Sequence, residues 1–216
     1  MPGSSASHAN RLVVPIFPLP DATLFPHTLL PLHVFEARYR SMVMDAMARQ
    51  RRIAIVQLRP GYEPTYAGKP AVHVVAGVGE IVSCERLANG RFNILLRGEA
   101  RMRIEREQPS DTLYRIVIGR SIRDIPPAGD VSSALTRIRA ACGRLLNALE
   151  RPPDLLEGAL AEGQAPGIVA DRIAAAVLPD GRVRQQLLET VDVSRRLDQL
   201  SSALEDLVNE LLGGRP

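Results

Sequence analysis

Prolines recur between residues 15 and 40 at intervals that leave the backbone few conformations. An apolar run ends in closely spaced prolines, a Phe25-Pro26 step follows, and a second short apolar run leads to Phe35. Proline locks its own φ, lacks an N–H group and pushes the preceding residue toward extended geometry. The segment therefore predicts a strand, a rigid elbow, a second strand and a helix that opens at Phe35.

Apolar residues recur at helical spacing from residue 35 to residue 49, which predicts a helix with one buried stripe. The stripe consists of Phe35, Tyr39, Met42, Val43, Ala46 and Met47. Residues 53–58 form a compact apolar run that is typical of a strand. The Gly, Pro, Tyr and Thr content of residues 59–70 indicates an exposed loop.

Residues 72–122 have the composition and the alternation of β-strands. Asn89-Gly90 is a strong hairpin signal between two apolar runs. After Gly98, small or apolar residues alternate with charged ones, which predicts a strand with one buried and one solvated face. The buried face is expected to carry Ala100, Met102 and Ile104, and the solvated face Arg101, Arg103, Glu105 and Glu107.

The composition changes at residues 126–129, and the chain beyond them is predicted to be helical. Asp130, Asp180 and Asp192 each stand where an N-cap is expected. Two of the helices carry apolar residues at three- and four-residue spacing, and the stripe of the first ends at Leu149. This spacing permits a coiled-coil dimer seam, but short neighbouring helices favour packing of the two helices against each other.

The composition is that of an ordinary globular chain, with 45% hydrophobic and 24% charged residues. The formal net charge of +3 is too small to indicate a nucleic-acid-binding surface by itself. Cys84 and Cys142 are expected to be two buried thiols in a reducing compartment. The first ten residues lack the apolar core of a signal peptide, and no apolar run reaches bilayer length. We therefore expect a cytoplasmic protein with no membrane partner.

The order and spacing of these motifs resemble those of the N-terminal, substrate-recognition domain of the ATP-dependent Lon protease. The proline-marked opening is similar, and near the end so are Leu178-Pro179, Leu187-Leu188-Glu189, Asp192 and Arg196-Leu197. No motif is diagnostic by itself, but together they extend the resemblance over roughly residues 12–212.

The resemblance implies an α+β fold, in which a β-rich, PUA-like pseudo-barrel is followed by a C-terminal helical bundle. The barrel lobe is expected over residues 11–124 and the bundle lobe over residues 130–213, while the small and polar composition of residues 1–10 indicates a loose tail. One departure is Phe25-Pro26-His27, where the family commonly has Phe-Pro-Gly. Because His adopts a positive φ less easily than Gly, the conformation of this turn stays open.

The resemblance also implies a non-enzymatic, stand-alone module that binds unfolded or extended polypeptide. Its further partner would be a protease or a chaperone that it serves as an adaptor, and self-association is left open. Binding would bury apolar segments between the two lobes or add a strand to an exposed sheet edge. The expected contact residues are Phe25, His27, Tyr62 and Tyr66, which lie in elbow or loop segments. For Phe25, an equal alternative is that its ring plugs the barrel.

The sequence predicts no ATPase or peptidase chemistry. Gly68-Lys69-Pro70 lacks both the hydroxyl and one of the amides that a P-loop needs. Lys69 is the only lysine, and its Gly/Pro loop should be solvated, whereas a Ser-Lys dyad needs a desolvated lysine. We therefore expect no catalytic residue in this chain.

Cofactor and metal sites are also not predicted. Gly77 and Gly79 imitate a dinucleotide-binding fingerprint, but the chain continues as a strand, so a bulge or bend is favoured. The side chains that bind metals most often lack ligand spacing in this chain. These side chains are His27, His33, His73 and Cys84.

An RNA-binding protein is the alternative from a different functional class. Arg101 and Arg103 are expected on one solvated sheet face, in a position to contact phosphates. Glutamates interleave with these arginines, and an aromatic content of 4% leaves few side chains on which bases can stack. Nucleic acid is therefore the less favoured partner.

Overall fold

The computed structural model describes residues 11–161 and 163–213. The chain divides into two compact units, Met1–Arg123 and Asp124–Pro216. Within the described ranges, the first unit is built on a six-stranded sheet and the second on α-helices, which confirms the predicted α+β class. Every helix in these ranges is too short or too polar to cross a lipid bilayer. The tail predicted for residues 1–10 lies outside the described residues.

The elements of the first unit are β1 (Arg11–Leu19), β2 (Leu29–Val34), α1 (Ala37–Met47), β3 (Arg52–Gln57), a short 3₁₀ helix (Glu63–Thr65), β4 (Val75–Arg86), β5 (Phe92–Gln108) and β6 (Ile116–Ile122). The sheet has the strand order β2-β5-β4-β3-β1-β6, and β5 also pairs with β6. Five strands thereby close into a barrel, and β2 lies along the first half of β5 outside that ring. Helix α1 connects β2 to β3.

The proline-marked elbow between β1 and β2 lies directly against the backbone of the barrel. A Cβ atom at Gly77 would stand 1.8 Å from the carbonyl oxygen of Leu24, and one at Gly98 would stand 1.9 Å from that of Phe25. Glycine is therefore required at both positions, for close backbone approach rather than for a dinucleotide. Phe25 is 0% exposed, so the expectation of an exposed contact residue is wrong and the burial alternative holds.

His27 forms the turn that the family commonly builds with glycine. Its φ is 62°, in the left-handed region, and its N–H donates to the carbonyl oxygen of Gly98 at 2.9 Å. The hydroxyl of Thr28 donates to the carbonyl oxygen of Phe25 at 2.7 Å and closes the elbow. The departure from the family sequence therefore leaves the turn intact, at the cost of a conformation that L-residues avoid.

Helix α1 buries most of the predicted stripe, including Tyr39, Met42 and Val43. Phe35 is 58% exposed, so its place in that stripe is wrong. The helix starts at Ala37 with Glu36 as its N-cap, and Phe35 therefore lies before the helix, where helical spacing no longer determines its direction.

The expected solvated face of β5 is interrupted at Arg101, which is 2% exposed. Arg101 pairs with Gly77 of β4, and directly opposed residues point to the same face of a sheet. The Leu24 backbone lies on that face at Gly77, so the elbow covers the position of Arg101. Arg103 stays exposed. The prediction that both arginines share one solvated face is wrong.

The second unit contains the predicted helices, but Val131 rather than Asp130 is the N-cap of the first of them, and Asp130 lies one residue before it. The carboxylates of Asp130, Asp180 and Asp192 accept hydrogen bonds from backbone N–H groups two or three residues further on, at 2.7–2.9 Å. The elements are α2 (Ser132–Ala148), a 3₁₀ helix (Pro153–Leu156), α3 (Glu157–Leu160), α4 (Pro166–Val177), α5 (Gly181–Glu189) and α6 (Val193–Gly213).

Helices α2 and α6 pack against each other, which agrees with the interpretation favoured over a dimer seam. Leu200 and Leu204 of α6 are fully buried, whereas Leu149 is 51% exposed because α2 ends at Ala148. Both cysteines are free thiols. Cys142 is buried in α2, but Cys84 is only partly buried, so the prediction of two buried thiols is right for Cys142 alone.

Candidate functional site

Strand β2 exposes one of its two faces. Leu30 and Leu32 pack against the core, while the alternate side chains point to solvent. The exposed fraction is 60% for Leu29 and 58% for Phe35, which follows the strand. Leu29 and Phe35 lie at the two ends of this exposed face, and exposed apolar patches on a protein surface are typical of interaction sites. The set is called the β2 rim here and consists of Leu29, Pro31, His33 and Phe35.

Hydrogen bonds fix the polar border of the β2 rim. Nδ1 of His33 lies 2.8 Å from Oδ1 of Asn93, and Nδ2 of Asn93 donates to Glu85 at 3.0 Å. The rings of His33 and Phe35 stack with a centroid distance of 6.3 Å. The imidazole is thus held between β5 and Phe35, so the rim is an ordered surface in which apolar groups adjoin polar ones.

The backbone of β2 is poorly suited to adding another strand. The carbonyl oxygen of Thr28 accepts from the N–H of Gly98 at 2.9 Å, and the groups that face β5 alternate along an antiparallel ladder. Leu29, Pro31 and His33 therefore direct their backbone groups away from β5, and Pro31 has no N–H to offer there. A ligand on the β2 rim would be held by side-chain contacts rather than by a continuous ladder.

A second cluster joins the loop after β3 to the start of α1. The guanidinium of Arg38 lies 4.6 Å from the ring centroid of Tyr39 and 5.1 Å from that of Tyr66. Arg38 also pairs with Glu36 at 2.9 Å and donates to the carbonyl oxygen of Tyr66 at 3.2 Å. The phenol of Tyr66 donates to Glu36 at 2.8 Å. These contacts hold the loop against the helix and are called the Arg38 clasp here.

The clasp keeps its phenols protonated. Burial raises the pKa of Tyr66, and the hydrogen bond to the Glu36 carboxylate raises it further. Burial also raises the pKa of Tyr39 to about 12, although the charge of Arg38 works in the opposite direction. Both phenols therefore stay uncharged at neutral pH.

The four predicted contact residues have different environments. His27 is exposed as expected, and Phe25 is buried under the elbow. Tyr62 and Tyr66 are half-buried and lie next to each other, with ring centroids 6.0 Å apart. Sequence reasoning missed Leu29 and Phe35, although the alternation in residues 29–34 already separates an outward set from an inward one.

The solvated arginine face predicted for nucleic-acid binding is not formed. Arg101 is buried whereas Arg103 is exposed, and neighbouring glutamates pair with other arginines, for example Glu105 with Arg120 at 2.6 Å. Within residues 11–161 and 163–213, no three His, Cys, Asp or Glu side chains are grouped so that they could hold a metal ion. The β2 rim is therefore the clearest candidate for contact with a ligand.

Comparison with protein families gives a match over most of the chain. The model described as the ATP-dependent protease La (LON) substrate-binding domain matches residues 13–206. The Lon protease of Roseiflexus castenholzii is 30% identical over 200 residues, which cover 89% of this chain and 24% of that protein. Lon protease 2 of Sorangium cellulosum is 28% identical over 85% of this chain and 23% of its own length. The chain thus spans about a quarter of the curated relatives it matches.

Solved structures share the fold. The N-terminal domain of the Mycobacterium avium complex Lon protease has a TM-score of 0.66 and 20% identity, covering 90% of this chain and 99% of that one. The Lon N-terminal domain protein from Xanthomonas campestris has a TM-score of 0.63 and 22% identity, covering 88% and 98%. At this level of identity, the likeness establishes the fold.

Proposed function

This chain belongs to the ATP-dependent protease La (LON) substrate-binding domain family, and from that premise we propose that it is a non-enzymatic module that binds unfolded polypeptide through the β2 rim. The exposure of Leu29 and Phe35 carries the proposal. Burying the exposed part of either side chain under a client would contribute about 1–2 kcal/mol. Unfolded chains expose the apolar residues that such a surface can cover, whereas native proteins bury them.

The environment of Lys69 supports the absence of peptidase chemistry in this chain. The side chain of this single lysine is 79% exposed, and its ammonium lies 3.9 Å from Glu107. A lysine that acts as the base of a Ser-Lys dyad must be desolvated, so that its pKa falls toward neutrality. The proposal therefore limits the role of this chain to binding.

The proposal includes an adaptor role in the cytoplasm, where a protease or chaperone receives the bound polypeptide. Its support is the family description, together with relatives that carry the name Lon protease and of which the chain spans about a quarter. In this arrangement the energy-consuming and bond-breaking steps belong to the receiving protein.

The experiment compares the affinity of the full chain for a reduced, unfolded model protein and for the same protein in its native form. We expect a clear preference for the unfolded form that persists at moderate salt, because apolar burial is not screened. Changing both Leu29 and Phe35 to Ser should weaken this binding by at least about tenfold, the equivalent of about 1.4 kcal/mol.

The matched control is Leu155→Ser, because Leu155 is 61% exposed and Leu29 is 60% exposed. This variant should bind the unfolded protein like the unchanged chain. Equal losses in both variants, or no preference for the unfolded form, would contradict the proposed function. Steep, log-linear salt dependence would instead indicate binding through phosphate or other charge contacts.

A further inference from the structure

Two cavities of the first unit adjoin at Tyr114, and together they are called the groove here. The cavities, of about 280 Å³ and 360 Å³, share Tyr114 and Gln108 in their linings. The first lies between the end of α1 and the start of β1, with a floor that includes Val14, Ala46 and Ile116. The β2 rim contributes no residue to either cavity, so the groove is a separate surface.

Tyr114 is an ordered divider between the cavities. It is 9% exposed, and its phenol donates to Oδ2 of Asp45 at 2.8 Å. Burial and the hydrogen bond to Asp45 raise the pKa of Tyr114 to about 12, so the phenol remains a neutral donor. The Tyr114 side chain therefore has a fixed position between the cavities and carries no charge.

The first cavity adjoins a stretch of β1 that pairs on one side only. Residues from Arg11 to Pro15 pair with β6, whereas β3 pairs with β1 only from Ile16 onward. The N–H of Ile16 donates to Arg115 of the β6 side at 2.9 Å, and the direction of these groups alternates along the strand. Val13 therefore directs its N–H and C=O to the cavity side, where an extended chain can pair with it.

Both cavities carry an excess of positive charge. The first is lined by Arg49 and Arg52 against the single carboxylate of Asp45. The second is lined by Lys69 and Arg115 against the single carboxylate of Glu107.

Each cavity is lined by one arginine that already pairs with a glutamate. Arg52 pairs with Glu99 at 2.7 Å, and Arg115 pairs with Glu107. Lys69 lies 3.9 Å from the same Glu107 carboxylate that pairs with Arg115, so two cations share one anion in the second cavity and one net positive charge remains there. In the first cavity, the guanidinium of Arg49 forms no ion pair within the described part of the chain.

We propose that this groove binds an extended, acidic polypeptide segment, an inference that rests on the proposed polypeptide-binding function. The main chain of the segment pairs with Val13, and an apolar side chain covers the floor of the first cavity. Carboxylates on either side of Tyr114 meet Arg49 and Lys69. The groove therefore selects for acidic flanks, while the β2 rim selects for exposed apolar side chains.

The test measures the binding of three labelled peptides to the full chain by fluorescence anisotropy. One peptide alternates Val or Leu with Glu, and the other two replace every Glu by Gln or by Lys. We expect the acidic peptide to bind at least tenfold more tightly than the Gln peptide, and the Lys peptide to bind most weakly. Arg49→Gln should reduce affinity for the acidic peptide about tenfold, equal to about 1.4 kcal/mol.

The matched control is Arg103→Gln, an exposed arginine of the same unit that lines neither cavity. It should leave the affinity for the acidic peptide unchanged. Val13→Pro tests the main-chain pairing, because it removes an N–H that points to the groove while Val14 keeps its bonds to β6. Val13→Pro should reduce the affinity for the acidic peptide by about as much as Arg49→Gln does.

Two outcomes would overturn the inference while the proposed function survives. One is equal affinity for the acidic and Gln peptides in a chain that still binds unfolded protein. The other is tighter binding of a labelled oligonucleotide than of the acidic peptide, lost in Arg49→Gln, which would assign the groove to nucleic acid. If neither the unfolded protein nor any peptide binds, the inference and the proposed function fail together.

Discussion

Arg196 and Asp124, which stand 72 residues apart in the sequence, form a two-pronged ion pair inside the second unit. Nη1 of Arg196 donates to Oδ1 of Asp124 at 3.0 Å, and Nη2 lies on Oδ2. Nη1 also donates to the carbonyl oxygen of Thr190 at 2.9 Å, and Nε lies 3.4 Å from Asp171. The Arg196 side chain is 1% exposed, so one cation joins the first residue of the unit to α4 and α6.

Replacing Arg196 by Met should destabilise the second unit by about 3–5 kcal/mol, because Asp171 would remain buried without this cation. The measurement is urea unfolding followed by circular dichroism. Arg195→Met is the matched control: Arg195 is exposed and should change the free energy of unfolding by less than about 0.5 kcal/mol. Similar decreases in the free energy of unfolding for both variants would show that the ion pair of Arg196 does not stabilise the second unit.

Gly98→Ala should destabilise the first unit by about 3 kcal/mol, the upper end of the usual cost of overpacking. The new Cβ would stand 1.9 Å from the carbonyl oxygen of Phe25, and backbone cannot yield as a side chain can. Gly143→Ala in α2 is the opposite case, because nothing lies within 4 Å of its Cβ position. We expect Gly143→Ala to raise the free energy of unfolding by about 0.5–1 kcal/mol, because Ala has a higher helix propensity than Gly. Thermal unfolding of both variants measures these effects. Equal changes in stability would contradict the close backbone approach at Gly98.

His27→Gly should leave the free energy of unfolding within about 1 kcal/mol of the unchanged chain. Glycine relieves the cost of a φ of 62° but also increases the freedom of the unfolded chain. His27→Val should lower the free energy of unfolding by at least about 1–2 kcal/mol, because a β-branched residue is strained in the left-handed region. A Val variant as stable as the Gly variant would mean that this turn does not need a positive φ.

Alkaline conditions should weaken the fold through Tyr39. Burial raises the pKa of this phenol from 10.0 to about 12, so folding favours its neutral form. The resulting stability is complete below pH 10 and is lost as the pH rises toward about 12, where the unfolded chain ionises first. Tyr39→Phe should therefore lose less stability than the unchanged chain across this window. The measurement is the denaturant midpoint of both proteins at several pH values. If the midpoints of Tyr39→Phe and of the unchanged chain fall equally with pH, the prediction is contradicted.

Much of the fold could be predicted because its signals are local. The prolines before β2, the Asn89-Gly90 turn and the capping aspartates act through φ, ψ and hydrogen bonds within a few residues. Each of these features is present in the structure. The match to the family covers residues 13–206, which include all of these signals.

The candidate site could be predicted only in part, because exposure depends on which distant segment covers a residue. Phe25 stands in an elbow that has no core periodicity, yet it is buried because Gly98 lets the backbone approach. Phe35 fits a helical stripe, yet it is exposed because the helix begins after it.

Arg101 shows the same limit in a strand. The alternation in β5 correctly separates two faces, but it does not reveal that the elbow covers one of them at Gly77. The sequence by itself determined the elements, their order and their turns, since these depend on local backbone preferences. Only the tertiary structure decided which faces are exposed to solvent. The reason is that β5 pairs with β2, β4 and β6, which brings together segments that lie far apart in the chain.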